Sequence, residues 1–419
     1  MNKESLKVLI VAENASTRFG GESILSLHYF RLLLKRGIDV RLTVHARVRE
    51  ELESLFPNDL ERIYFIDDLW IQKKLYAMGM TLPRRVAEIS LHWIVQLITA
   101  LRQRQVVKRL VKKGDANVVH QPIPVSPSQP SIIFGVGAPV IIGPMNGGMS
   151  YPPAFSSMEK RFERFTVSLG RTLAAIINLI LPGKRYASLL LVANERTRLS
   201  LPATVTKHVE CLVENGVDMA AWSDLAKTPE GTAPVTFIFL GRLVDWKGVD
   251  LLLEAMPQVL NVRDVMLKII GNGEEMDHLV QLASDLGVDN NVQFLGFLPQ
   301  AECIRHLNSA RALVLPSLYE CGGAVVLEAM CSGTAVIATA WGGPKDYLNE
   351  QCGIMIDPDG RDSMIRQIHN AMIKLIDDPM LAEEMGRCGK ELVLKKYSWC
   401  KKIDQIIDFY SAILKQKIA

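Results

Sequence analysis

Two glutamates, Glu320 and Glu328, lie eight positions apart around the pair Gly322 and Gly323 in this 419-residue chain. An apolar run at residues 312–316 precedes them, and the pattern predicts a strand, a glycine loop and a helix. Glycines let backbone N–H groups approach an anion, and the N-terminus of a helix attracts negative charge. Carboxylates beside such amides suit a ligand that is rich in hydroxyls and carries phosphate.

Two cations, Arg242 and Lys247, follow the strand predicted at residues 235–241. Open α/β sheets bind ligands at the carboxyl ends of their strands. Cations fixed on this loop could clamp a diphosphate and stabilise its charge as it leaves. Each motif alone also fits a plainer interpretation, in which the cations are surface charges and the glutamates serve a helix dipole.

The elements that must position these residues alternate in both halves of the chain. Continuous apolar runs, typical of buried parallel strands, alternate with helical stretches. Strands are predicted at residues 8–12, 40–44, 116–120, 139–143, 189–193, 235–241, 265–271, 292–296, 312–316, 335–339 and 354–357. Two such sets predict an α/β protein with two doubly wound, Rossmann-like domains. We place these domains at residues 1–210 and 211–395, and a C-terminal helix at residues 396–419.

Charge is distributed unevenly between the two halves. Residues 1–207 hold 29 Lys and Arg against 16 Asp and Glu, a net charge of +13, whereas the remainder holds 19 against 29, a net charge of −10. A basic half favours an anionic partner. Residues 83–114 interleave apolar side chains with eight basic residues and one acidic residue, so we expect this segment to contact an anionic membrane. A core helix with a solvated basic face is the alternative.

The cysteines and the apolar runs indicate the cellular compartment in which the protein resides. The seven cysteines are scattered and form no C-x-x-C pair, which predicts a reducing environment rather than a disulfide framework or a zinc site. No uninterrupted apolar run reaches the ~18 residues of a membrane-spanning helix. The first residues lack the apolar core of a signal peptide. We therefore expect a cytoplasmic protein that can sit peripherally on the inner face of the cytoplasmic membrane.

The motifs occur in a specific order: Arg242 with Lys247, then residues 271–274, then residues 296–299, then the pair of glutamates. This ordered set resembles the donor half of the retaining glycosyltransferases of family 4, which have the two-domain GT-B fold. The resemblance covers essentially the whole chain and is strongest from about residue 215 to residue 353. It implies that the two domains face a central cleft and that the C-terminal helix packs back toward the N-terminal domain.

The resemblance assigns roles to residues of the second half. Arg242 and Lys247 resemble the pair that grips the donor diphosphate. Glu328 resembles the carboxylate that binds the ribose hydroxyls, and Glu320 the acidic residue that contacts the transferred sugar. Backbone amides after Gly323, at Ala324 and Val325, would hold the phosphate or the sugar. The family often has an aromatic residue where Gly322 stands, so this departure bears on the sugar preference.

In the first half, the resemblance points to a loop and two polar residues. Gly20 and Gly21 resemble the glycine loop that closes over the diphosphate. His120 resembles a histidine near the reacting carbon, and a packed loop histidine is the plainer alternative. Asn146 is the weaker candidate for contact with the acceptor or the sugar.

The resemblance implies a retaining glycosyltransferase that moves a sugar from a UDP- or GDP-sugar to a hydroxyl of a glycan or a polyprenyl- or lipid-linked glycan. Bacterial cell-surface polysaccharide or lipopolysaccharide biosynthesis is the expected setting. No cofactor and no metal are expected, because fixed cations and helix dipoles stabilise the leaving nucleotide, and no nucleic-acid partner is expected. The alternatives are a nucleotide-sugar 2-epimerase of the same fold and a non-catalytic nucleotide-sugar-binding protein. An NAD-dependent dehydrogenase is disfavoured because the first loop lacks a full G-x-G-x-x-G.

Overall fold

The structure is a computed structural model. It describes residues 6–19, 21–79, 91, 93–158, 176–206, 208–218 and 234–418. Gly20 of the predicted glycine loop lies outside the described residues. So does most of residues 83–92, the first part of the segment predicted to contact a membrane.

The chain divides into two compact units. Unit 1 comprises the described residues of Met1–Gly148, Thr166–Glu214 and Lys402–Ala419, and unit 2 those of Met149–Phe165 and Asn215–Lys401. Each unit is built around one parallel β-sheet, which confirms the predicted class of two Rossmann-like α/β domains.

Unit 1 contains a seven-stranded sheet with the order β3-β2-β1-β4-β5-β6-β7. Its strands are β1 (Lys7–Val11), β2 (Asp39–His45), β3 (Ile63–Ile66), β4 (Val118–Gln121), β5 (Val140–Met145), β6 (Leu189–Val192) and β7 (Val209–Cys211). All neighbours pair in parallel, and Val8 of β1 is in register with Val40 and Val118 on its two sides. The central strands are mostly apolar because helices cover both faces of a parallel sheet.

The helices of unit 1 before its last segment are α1 (Gly21–Lys35), α2 (Arg49–Leu55), α3 (Trp70–Gly79), α4 (Trp93–Lys112) and α5 (Glu195–Leu199). α1 crosses from β1 to β2, and α4 leads into β4. The chain runs outward from β1 to β3 and then returns to place β4 on the other side of β1. The loops after β1 and β4 therefore diverge, and such a switch point is where doubly wound sheets bind ligands.

Unit 2 repeats this design with six parallel strands in the order β10-β9-β8-β11-β12-β13. They are β8 (Val235–Leu240), β9 (Val265–Ile270), β10 (Val292–Gly296), β11 (Ala312–Leu315), β12 (Ala335–Thr339) and β13 (Gly353–Ile356). Its helices are α6 (Val249–Leu260), α7 (Met276–Asp285), α8 (Gln300–Ser309), α9 (Ala324–Cys331), α10 (Gly343–Tyr347), α11 (Arg361–Asp377) and α12 (Pro379–Leu392). Its switch point lies between β8 and β11.

The last helix, α13 (Trp399–Ile418), joins unit 1 from Lys402 onward. Tyr410 is fully buried and its hydroxyl donates to Nδ1 of His120 at 2.7 Å. Nζ of Lys402 donates to the backbone oxygen of Glu214. These contacts confirm the predicted return of the C-terminal helix to the N-terminal part of the chain.

Candidate functional site

The site in unit 2 is built on the two loops that leave the sheet at its switch point. The loop after β8 carries Arg242 and Lys247, and the loop after β11 carries Glu320. A hydrogen bond of 2.8 Å from the backbone N–H of Leu318 to the carbonyl of Trp246 ties the two loops together. Side chains that are 73 positions apart in the sequence are therefore held at one edge of the sheet.

Gly248 allows the close approach of these loops. Its φ of +66° lies in the left-handed region, and a Cβ at this position would be 2.4 Å from the carbonyl oxygen of Pro316. A side chain there would push the loops apart, since real Cβ atoms do not approach an oxygen so closely. Gly248 also precedes the first residue of α6, so the same position begins the helix.

Lys247 and Glu320 form an ion pair at the centre of this site. Nζ of Lys247 donates to Oε2 of Glu320, and each side chain is only 14% exposed. The other carboxylate oxygen, Oε1, accepts the backbone N–H of Gly323 at 3.0 Å. The structure therefore brings together a cation, a carboxylate and the start of α9, and the contacts of these residues with a donor stay a prediction.

The N-terminus of α9 adds a second anion-seeking group. Gly323 has a φ of +62° and caps the helix, which Ala324 and Val325 begin. Ala324 is exposed and Val325 is partly exposed. The first N–H groups of an α-helix have no intrahelical partner and attract anions. The predicted amide donors thus belong to the first turn of the helix that directly follows the loop of Glu320.

Glu328 lies in the second turn of α9 and is partly buried. The side chain of Gln300, the first residue of α8, hydrogen-bonds to this carboxylate, and desolvation by burial raises its pKa above the ordinary 4.5. Sequence reasoning missed Gln300. The signal that could have found it is its position at a helix start directly after the 296–299 motif.

Arg242 shares the β8 loop with Lys247 but is exposed. It makes no hydrogen bond or ion pair with any residue in the described ranges. The structure therefore places it at the same sheet edge without bringing it into the Lys247–Glu320 pair. Within the described ranges, no three His, Cys, Asp or Glu side chains are grouped so that they could hold a metal ion.

The switch point of unit 1 contains a cavity of about 460 Å³. Gly21, the first residue of α1, lines it, as do Asn14 from the β1 loop and Gln121 at the end of β4. α4 contributes both apolar and polar side chains to the wall, among them Leu97 and Gln103. Of the two glycines in the predicted loop, Gly21 is described by the structure, and it lines this cavity.

His120 is fully buried on β4, inside unit 1. Its Nε2 lies 2.7 Å from the carbonyl oxygen of Gly143, which can only accept, so Nε2 carries the proton. Nδ1 then accepts a hydrogen bond from the hydroxyl of Tyr410. Burial lowers the pKa of His120 to about 4. This is the geometry of a packed, neutral histidine, and a place near the reacting carbon stays a prediction.

Asn146 also lies in a buried polar cluster of unit 1. Its Nδ2 donates to Oε1 of Glu214, and its Oδ1 accepts from Nδ2 of Asn194 and Oγ1 of Thr197, both at 3.3 Å. These bonds account for the orientation of Asn146 without a ligand. Its contact with an acceptor stays a prediction.

Comparisons with known proteins give a family match for part of the chain and a likeness in fold for nearly all of it. Residues 221–392 match the family model described as "Glycosyl transferases group 1". The chain is 36% identical over 166 residues to a GDP-mannose-dependent monoacylated alpha-(1-6)-phosphatidylinositol monomannoside mannosyltransferase of Corynebacterium glutamicum, covering 38% of this chain and 42% of that protein. It is 32% identical over 186 residues to the lipopolysaccharide core biosynthesis glycosyltransferase LpsE of Rhizobium meliloti, covering 44% and 51%. The chain spans about half the length of these relatives.

Among solved structures, Anabaena Alr3699/HepE in complex with UDP is similar over 97% of this chain and 100% of its own, with a TM-score of 0.66 and 15% identity. At this identity the likeness shows the fold alone, which is the GT-B fold of glycosyltransferases. The sequence match lies in the part of the chain that holds Lys247, Glu320 and Glu328. This chain thus has the fold of glycosyltransferases and, over residues 221–392, their group 1 sequence pattern.

Proposed function

We propose that this protein is a retaining glycosyltransferase of family 4 that transfers a sugar from a UDP- or GDP-sugar to a hydroxyl of a glycan or a lipid-linked glycan. The observation that carries the proposal is the ion pair of Lys247 and Glu320 beside the N-terminus of α9 at the switch point of unit 2. The match of residues 221–392 to group 1 glycosyltransferases supports it.

A bound donor would separate the ion pair of Lys247 and Glu320. A diphosphate carries more negative charge than one carboxylate, so it competes with Glu320 for Lys247. Glu320 is then released to accept hydrogen bonds from sugar hydroxyls, for which an ionised carboxylate is well suited. The amides at the start of α9 hold the same anion. Glu328, on the next turn of that helix, takes the ribose hydroxyls.

The chemistry follows from the charges that the loops fix in place. The bond between the anomeric carbon and the diphosphate oxygen breaks as the sugar develops cationic character. Lys247, Arg242 and the α9 amides stabilise the departing phosphate. An acceptor hydroxyl attacks from the same face, and its proton passes to the leaving phosphate oxygen, so the configuration is retained. No covalent glycosyl intermediate on Glu320 is required.

A lipid-linked glycan is the acceptor class that we favour. Two relatives act on phosphatidylinositol mannoside and lipopolysaccharide core according to their names, and both products are sugars on lipids. The unit 1 cavity mixes amide and hydroxyl groups with apolar side chains, which suits a sugar next to a hydrocarbon. We place the reaction in cell-surface glycan assembly at the cytoplasmic face of a membrane.

A thermal-shift panel of UDP-, GDP-, ADP- and TDP-sugars tests the donor class. We expect one nucleotide to raise the melting temperature, because a ligand that binds only the folded state stabilises it. Arg242→Gln should reduce this shift, since the exposed guanidinium becomes a phosphate ligand. Arg366→Gln, which removes an exposed arginine of α11, is the control and should leave it unchanged. A panel without any shift would contradict the proposal.

Product analysis tests the reaction itself. With donor and a lipid-linked acceptor, NMR of the product should show the anomeric configuration of the donor. The opposite configuration would contradict retention. A new epimer of the sugar formed from donor alone would instead identify an isomerase.

A further inference from the structure

Helix α3 exposes four large apolar side chains. Trp70 is 73% exposed, and Ile71, Tyr76 and Met78 are also exposed. The helix is held by Gln72, which is buried and donates to the backbone oxygen of Val95 and to Oγ1 of Thr99 on α4. Tryptophan and tyrosine side chains that are exposed on a helix are typical of segments at a membrane interface.

Helix α4 continues this surface. Ile94 and Leu101, two turns apart on one face, are exposed, and Ile98 between them is partly exposed. Other residues of α4 line the unit 1 cavity, among them Leu97, Ala100 and Gln103. One helix therefore forms both the wall of the cavity and part of an exposed apolar surface.

A third group of exposed apolar side chains lies in another part of unit 1, next to the cavity. Ile176, Leu179 and Ile180 are exposed, and Ile180 reaches 69%. The next residue, Leu181, lines the cavity. The exposed residues of α3, α4 and residues 176–180, here called the apolar surface, thus adjoin the cavity through both α4 and Leu181.

Charge decides what can cover the apolar surface. Neither α3 nor α4 contains an acidic residue, and together they carry the basic residues Lys73, Lys74, Arg102, Arg104, Lys108, Arg109 and Lys112. Asp67 and Asp68, which precede α3, are paired with Arg49 and His45. A second copy of the same surface would bring these like charges together, which is unfavourable. Nucleic acid would leave the aliphatic side chains without a partner.

We propose that the apolar surface docks unit 1 on an anionic phospholipid bilayer. The apolar side chains enter the boundary between headgroups and acyl chains, and the lysines and arginines contact anionic headgroups. Docking places the unit 1 cavity next to the lipid, where the sugar of a membrane-embedded acceptor can enter it. Only this last step rests on the proposed function.

Co-sedimentation with vesicles tests the docking. At low salt, the wild-type protein should sediment with vesicles of equal parts phosphatidylglycerol and phosphatidylcholine and stay in solution with phosphatidylcholine alone. Trp70→Ser with Ile180→Ser should reduce binding by at least about tenfold, because exposed side chains no longer enter the bilayer. Val262→Ser with Val280→Ser, two exposed valines of unit 2, is the matched control and should bind like the wild type.

A second pair of variants tests the charge contribution. Lys73→Gln with Lys74→Gln should weaken binding to anionic vesicles by roughly tenfold or more, because each basic residue near the headgroups contributes. Lys395→Gln with Lys396→Gln removes two exposed lysines of unit 2 and should have no effect. The Trp70 with Ile180 and the Lys73 with Lys74 variants should keep the nucleotide-induced thermal shift, since unit 2 is unchanged in both.

Three outcomes would overturn the docking. The wild type could fail to sediment, or the Trp70 and Ile180 variant could bind like the wild type. Light scattering could also show a dimer that this variant converts to monomer without any vesicle binding, which would make the apolar surface an interface between copies. If nucleotides still bind in any of these cases, the docking fails and the proposed function stands. If the wild type instead binds vesicles but no nucleotide, the docking stands and the proposed function fails.

Discussion

At the scale of single residues, the proposed donor site depends on the ion pair of Lys247 and Glu320. Each side chain is mostly buried, so neither charge is well hydrated and each needs the other while no ligand is bound. Under the proposed function, a donor would supply replacements for both partners, phosphate for the lysine and hydroxyls for the glutamate. Binding would then exchange one set of charge contacts for another instead of leaving a buried charge alone.

Glu328 should make donor binding depend on pH. Burial raises its pKa above the ordinary 4.5, and only the ionised carboxylate accepts from both ribose hydroxyls. Nucleotide affinity should therefore fall as the pH is lowered through the raised pKa, at a higher pH than an ordinary glutamate would give. Glu328→Gln should weaken binding about tenfold at neutral pH and flatten the profile, as calorimetry across pH would show. A profile of the same shape in both proteins would contradict the role of Glu328.

His120 should contribute a pH dependence of stability. Its folded pKa of about 4 lies below the ordinary 6.5, so the unfolded chain binds the proton more readily. Its contribution is present above pH 6.5 and is lost as the pH falls toward 4, at ~1.4 kcal/mol per pH unit and about 3 kcal/mol in all. Urea unfolding of His120→Gln should lack this component.

Kinetics of the same variant separate the two roles of His120. The sequence predicts that its loss lowers turnover more than donor affinity. If His120 only packs unit 1 with Tyr410, the folded variant should keep its turnover per molecule at neutral pH. Turnover measured well below the melting temperature of the variant decides between these results.

At the scale of elements, the site depends on two loops that are held in contact at the switch point of unit 2. Gly248 and the hydrogen bond between Leu318 and Trp246 set the distance between these loops. Gly323 then sets the direction in which α9 begins, because its φ of +62° turns the chain from loop into helix. The loops are therefore as much part of the site as the charged residues.

Gly323→Ala should disturb the site more than the fold. A Cβ at this position would contact Cγ of Glu320 at 3.3 Å and Cδ of Pro344 at 3.4 Å, and the left-handed conformation costs about 1–2 kcal/mol in any other residue. Gly287→Ala has the same backbone cost at φ +67° but no atom within 4 Å. We expect similar losses of stability in both variants and a loss of nucleotide binding in Gly323→Ala alone. Equal binding in the two variants would contradict this role of Gly323.

The sequence predicted most elements, and those it missed have physical reasons. The central strands read as continuous apolar runs because both of their faces are covered. β3 and β7 lie at the two edges of their sheet, where the partly exposed Tyr64 and the exposed Glu210 interrupt the apolar pattern. The composition of α3 is ambiguous because most of its apolar side chains are exposed.

Contacts between residues far apart in the chain limit how much of the site could be predicted from the sequence. The family resemblance implied that Lys247 and Glu320 bind one molecule. It could not predict that the two side chains form an ion pair, or that Gln300 hydrogen-bonds to Glu328, since both depend on the packing of separate loops. The surroundings of His120 depend on Tyr410, which is 290 positions away.

At the scale of the whole molecule, one architecture occurs twice with different chemistry. In each sheet the order of the strands reverses next to the first strand, and candidate binding residues lie at both of these switch points. Unit 2 presents a charge pair and a helix N-terminus, which suit a nucleotide diphosphate, whereas unit 1 presents a cavity of mixed polarity. α13 completes unit 1 from the far end of the chain, through Tyr410 and the buried Lys402. None of the helices in the described part of the chain has the length and apolarity of a membrane span.

Calorimetric titration of the best-binding nucleoside diphosphate into two variants is the most direct test of the donor site. Lys247→Met should weaken binding by ~2–3 kcal/mol, because it removes a charged phosphate contact. Glu320→Gln should leave binding unchanged or tighten it, because Lys247 no longer has a competing carboxylate, while sugar transfer falls. Equal weakening in both variants would show that the pair serves folding, and wild-type affinity in both would contradict a nucleotide site at this position.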